Sequence, residues 1–81
     1  MTLNWQVKNV IVQNNYMLLL TFADGTKKLY DCKPLLDKGI FKALSNPELF
    51  NNAHIAFNTV VWNDTIDIDP EELYYNSVSI A

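Results

Sequence analysis

The sequence predicts an α+β domain, and three observations predict it. Residues with β-branched and aromatic side chains gather in two groups, one ending near Asp31 and the other beginning near His54. The stretch between them carries helix-start and helix-stop signals in place of strand alternation: Pro34 followed by Gly39, then Asn46-Pro47-Glu48. A last cap signal, Asp69-Pro70-Glu71-Glu72, precedes Leu73, Tyr74 and Tyr75. The expected architecture is a three-stranded antiparallel meander, short helices, a second β-hairpin and a short C-terminal helix, with one side of the sheet packed on the helices.

Each element follows from local chemistry. Leu3 to Gln13 carries Trp5, Val7, Val10, Ile11 and Val12, a strand whose alternation breaks near Asn9 and so predicts a bulge. Asn14-Asn15 turns the chain into Tyr16–Phe22, whose Met17-Leu18-Leu19-Leu20 run reads as a central, covered strand. Asp24-Gly25 supplies residues that tolerate positive φ in a tight hairpin, and the third strand runs from Thr26 to about Asp31. Pro34 to Gly39 is one helical turn, Ile40 to Leu44 a second, and Asn46-Pro47 opens a third piece. His54–Phe57 and Val60–Trp62 form a hairpin across Asn58-Thr59, and Ile66-Asp67-Ile68 alternates after the Asn63-Asp64 turn.

Size and composition bound the function. A chain of 81 residues makes one domain, residues 1–81, and its 49% hydrophobic content fills one core without disulfides or metal. The single Cys32 excludes an intramolecular disulfide and suits a reducing, cytoplasmic setting. The N-terminus lacks the basic start and apolar stretch of a signal peptide, so no export is expected. The longest apolar run, Tyr16 to Leu20, is far too short for a membrane span. With a net charge of −3 and no arginine among six basic residues, direct nucleic-acid binding is not expected. Ten asparagines read as solvated turns and caps.

The order Phe22-Ala-Asp-Gly25, Tyr30-Asp31, Pro34-Leu35-Leu36, Gly39-Ile-Phe41, Leu44 and Phe50 leads into a block from Trp62 through Asn-Asp-Thr-Ile-Asp67 and Pro70 to Leu73-Tyr74. This pattern resembles the bacterial and phage domain-of-unknown-function family 2442 over nearly the whole chain. The resemblance implies a small α+β domain without established enzymatic activity. It also implies relatives encoded beside a second small protein in toxin–antitoxin-like pairs, or fused to a helix-turn-helix domain. The chain ends at Ala81, so a DNA-binding part of that kind is not expected here, and any regulatory role would run through a protein partner or a ligand.

The candidate chemistry is sparse. Asp64, Asp67, Asp69, Glu71 and Glu72 lack the spacing of a calcium loop, because Ile66 and Ile68 interleave and Pro70 follows at once. They read as turn and helix cap, with no metal site; Asp67, between two isoleucines, either points inward or accepts backbone N–H groups. His54 reads as a surface or strand-edge residue and Cys32 as a buried thiol. Lys27-Lys28 reads as a solvated strand face. No GxSxG elbow or Gly-rich phosphate loop is present, and no nucleophile and base pair can be named, so no enzyme and no cofactor are expected.

The expected function is a non-enzymatic binding module, antitoxin-like or regulatory, acting on a small protein partner. Its candidate partner-binding residues are Trp62, Asp64, Asp67, Tyr74 and Tyr75, with core packing the competing reading for Trp62. Tyr74 and Tyr75 point about 100° apart on a helix, so one of them must face out. The alternative is a small-ligand pocket between sheet and helices, walled by Trp62, Tyr30 and Cys32. Exposed strand edges also permit a homodimer by sheet extension.

Overall fold

The computed structural model describes residues 5–63 and 66–80. The chain is α+β, with two antiparallel sheets joined by short helices. Strands β1 (Val7–Gln13), β2 (Met17–Phe22) and β3 (Lys27–Asp31) form the expected meander, with β2 in the centre. The register of β1 against β2 shifts between Val7 and Asn9, where the alternation breaks in the sequence. Along β2 half-buried and buried residues alternate, and Leu18, Leu20 and Phe22 line the core face.

Both turns of the meander rest on positive φ. Asn15 (φ 62°) and Tyr16 (φ 60°) reverse the chain between β1 and β2. In the second turn only Gly25 (φ 85°) takes that conformation, while the Asp24 carboxylate accepts the Thr26 N–H at 2.9 Å.

The connection between the sheets is mostly 3₁₀: Lys33–Leu35, then Gly39–Ser45, followed by the one-turn helix α1 (Pro47–Phe50). Asn46 caps α1, its Oδ1 accepting the Glu48 N–H at 3.0 Å. The second sheet holds β4 (His54–Ala56), β5 (Thr59–Asn63) and β6 (Ile66–Asp67), with β5 central and buried from Thr59 to Trp62. Its hairpin turn is Phe57-Asn58, one residue earlier than the sequence suggested. The reason is φ: a two-residue turn of this hand needs two residues in the left-handed region, and β-branched Thr59 resists it, so Phe57 (φ 54°) and Asn58 (φ 63°) take the corner.

Helix α2 (Pro70–Asn76) starts as expected, with Asp69 Oδ1 accepting the Glu71 N–H at 2.9 Å. It does not end the fold. Strand β7 (Val78–Ser79) pairs antiparallel with β3 and extends the first sheet to four strands, in the order β1-β2-β3-β7. Two paired residues are too few to stand out as a strand in the sequence. One core serves both sheets: Val7, Leu18 and Leu20 from the first, Val60 and Ile66 from the second, Leu44 and Leu73 from the helical pieces. Among the described residues every buried side-chain nitrogen or oxygen has a hydrogen-bond partner, and no helix is long and apolar enough to cross a membrane.

Phe57 is 94% exposed and sits at φ 54°, so it bears a backbone cost with no packing to offset it. Phe57→Asn is expected to stabilise the protein by ~0.5–1 kcal/mol, raising Tm by several degrees. A thermal melt followed by circular dichroism checks this; a lower Tm would mean that the left-handed corner is not what limits the hairpin.

Candidate functional site

The residues expected at a partner surface separate in the structure. Trp62 is a correction: it lies in the core at 2% exposure, its Nε1–H donating to the Phe50 carbonyl at 3.2 Å and its ring stacked on Phe50. The cause is its place on the central strand of the second sheet, whose faces are both covered. Asp64 lies outside the described residues. Asp67 is exposed, because Ile66 and Ile68 on either side of it take the buried face of β6.

Asp67 opens onto a cleft of about 350 Å³ lined by Leu35, Lys38, Phe41, Asp67, Ile68, Asp69 and Glu72. One wall comes from the connection: Leu35, Lys38 and Phe41 recur every third residue, and the Lys38 N–H bonds Leu35 O as the Phe41 N–H bonds Lys38 O. Lys38 itself is extended (φ −116°, ψ 115°) and links two 3₁₀ segments, Lys33–Leu35 and Gly39–Ser45, so the three side chains reach the same cleft from two segments and the link between them. The opposite wall is β6 and the start of α2. Glu72 is held at the rim by the Tyr30 hydroxyl, which donates to Oε2 at 3.2 Å. Burial first, and then the Glu72 carboxylate, push the Tyr30 phenol well above its usual pKa, so it stays a donor. Asp67, Asp69 and Glu72 thus rim a floor of Leu35, Phe41 and Ile68, and the one ion pair among the described residues, Lys33 with Asp31, lies elsewhere.

Tyr74 and Tyr75 differ in exposure, Tyr74 half-buried and Tyr75 facing out. Tyr74 packs edge-on against Phe22, and its hydroxyl donates to Asp24 Oδ2 at 3.0 Å. Lys28, expected on a solvated face, lies 4.0 Å from the Tyr74 ring centroid and donates to the Tyr74 carbonyl at 2.6 Å. A cation at the last carbonyls of a helix is well placed, so Lys28 fastens α2 to β3. Asp24 is held below the usual carboxylate range, chiefly by its hydrogen bond with Thr26, and the bond to Asp24 raises the Tyr74 hydroxyl. Tyr75 meets the Tyr74 ring edge-on at 5.3 Å and is otherwise 69% exposed. It follows Glu72 by three positions and so is its neighbour on the surface of α2, next to the residues that line the cleft.

The proposed walls of a core pocket do not enclose one: Trp62 (2% exposed), Tyr30 (4%) and Cys32 (0%) are packed side chains. His54 is exposed on β4, an edge strand of the second sheet. Among the described residues no three of His, Cys, Asp and Glu are placed to hold a metal ion. Sequence reasoning missed Lys38, Phe41, Lys28 and Asp24; the three-residue spacing from Leu35 to Phe41 was the available signal for the first two.

Burial pushes the Cys32 thiol up to about 12. At pH 8 the native thiol is therefore expected to react with a disulfide reagent about a thousandfold more slowly than the urea-unfolded chain; equal rates would refute its burial. The same shift has a stability consequence. The folded state keeps a proton that the unfolded chain releases near pH 8.5, so this contribution is complete below that pH and is lost as pH rises toward about 12. Cys32→Ala is expected to flatten part of that alkaline decline in urea titrations, and an unaltered slope would contradict it.

The comparisons with known proteins follow the same outline. No curated protein and no solved structure matches the chain. Residues 7–79 match the family described as protein of unknown function (DUF2442), from the first residue of β1 to the last of β7. With the match spanning both sheets and every helix between them, the chain belongs to the DUF2442 family.

Proposed function

We propose that the protein is a non-enzymatic binding module, antitoxin-like or regulatory, that engages a small basic protein partner through the Asp67–Glu72 cleft and the adjoining Tyr75. The observation that carries this reading is the chemistry of the cleft: three carboxylates, Asp67, Asp69 and Glu72, against the single lysine Lys38, an apolar floor, and a volume of about 350 Å³. A lysine or arginine side chain has the matching form, an aliphatic stem that seeks apolar cover and a cationic head that seeks carboxylates. Tyr75 beside the rim adds an amphipathic aromatic of the kind that concentrates binding energy at interfaces. The net charge of −3 favours approach of a basic partner and accelerates encounter at low salt.

The test is co-purification from the native host with tagged protein, followed by reconstitution from the purified pair. Wild type is compared with Asp67→Lys and with Tyr75→Ala, both exposed positions where substitution leaves stability within about 0.5 kcal/mol. A single basic protein is expected with wild type, bound less tightly as salt rises, and weakened at least tenfold by Asp67→Lys. If folded wild type retains nothing at low salt, or if Asp67→Lys binds as well as wild type, the reading fails.

A further inference from the structure

A second cleft lies away from the acidic one and shares no residue with it. Its volume is about 300 Å³, and carboxamides dominate its lining: Gln13, Asn14 and Asn15 from the β1–β2 turn, and Asn51 from the end of α1. Tyr16, Pro47 and Phe50 supply the rest. Among the described residues no acid, lysine or histidine lines it, although the chain carries nine acidic and six basic residues. Among the described residues none of the four carboxamide side chains has a hydrogen-bond partner, and all four are exposed.

The aromatic wall is fixed in advance. The Tyr16 ring meets Phe50 edge-on at 5.0 Å, and its hydroxyl donates to the Ser45 carbonyl at 2.6 Å. Its backbone carbonyl accepts the Cys32 N–H at 2.9 Å, which holds the left-handed turn that presents Asn14 and Asn15. A rigid wall removes ordering cost from binding.

We propose that this cleft binds a neutral saccharide, one pyranose ring set against Tyr16 and Pro47 with its hydroxyls bonded to the carboxamides. Each carboxamide both donates and accepts, as each hydroxyl does, so the two sets satisfy one another without charge. A phosphorylated ligand would need cations, and the described lining has none. The volume is at the low end for ligand pockets, roughly 300 to 1,000 Å³, which suits one ring.

The experiment is a ¹⁵N-correlation titration of the intact chain with glucose, with N-acetylglucosamine and, separately, with adenosine, each to about 50 mM. Expected is saturable movement of the Gln13, Asn14, Asn15 and Asn51 side-chain NH₂ signals with one of the sugars, at a Kd on the order of 1 to 10 mM. Asn14→Ala and Asn51→Ala, both at exposed positions, should retain the wild-type spectrum elsewhere and each weaken binding about fivefold. The proposal is overturned if neither sugar moves these signals, if adenosine alone does, or if both variants bind as wild type does.

Discussion

The structure hangs on a relay of three aromatic rings. Trp62 on β5 bonds the Phe50 carbonyl and stacks on the Phe50 ring; Phe50 on α1 meets Tyr16 edge-on; and Tyr16, at the β1–β2 turn, reaches the Ser45 carbonyl. These contacts tie the second sheet to the helical connection and the connection to the first sheet. A domain of this size buries a smaller share of its surface than a larger one, so a few large side chains must span the whole core. The relay does that, and the aliphatic residues fill the space around it.

The two clefts owe their difference to the connection between the sheets. Its two 3₁₀ segments and the extended Lys38 between them bring Leu35, Lys38 and Phe41 to the acidic cleft, whereas its short α-helix is followed by Asn51 beside the β1–β2 turn. The first region meets β6 and the cap of α2, which are acidic; the second meets a turn made of amides. One segment thus borders two surfaces of opposite chemical character, one charged and one neutral.

The meander was legible because each of its cues is local. The break at Asn9, the turn at Asn14-Asn15, the covered Leu18 and Leu20 and the Gly25 corner all concern residues near one another in the chain. The caps at Asn46 and Asp69 were legible for the same reason, since a cap oxygen serves an N–H two residues on. What escaped was long-range. Nothing near Lys28 announces that Tyr74 will lie over it, and nothing near Glu72 announces the Tyr30 hydroxyl. Trp62 shows the limit from the other side: an aromatic is suited equally to core and interface, and only the covering of both faces of β5 decided between them. Of the acidic surface, Asp67 and Tyr75 were candidates from sequence, but an inward Asp67 was among the expectations and the choice between Tyr74 and Tyr75 stayed open, since the burial of Ile66 and Ile68 and the packing of Tyr74 on Phe22 are long-range, as is the cleft's apolar floor.

Strand β7 alters how the molecule comes into being. Its partner residues on β3, Lys28 and Leu29, are made long before Val78 and Ser79. At roughly 5 to 20 residues per second, the ribosome leaves the outer edge of β3 without its partner for some seconds, a row of open amide and carbonyl groups able to pair with any neighbouring chain. The lysines at Lys27 and Lys28 stand on that edge through the interval. Their like charges repel a second nascent copy in the same register, so Lys28, which later pairs with β7 and lies under Tyr74, guards the edge with Lys27 before β7 or Tyr74 has been made.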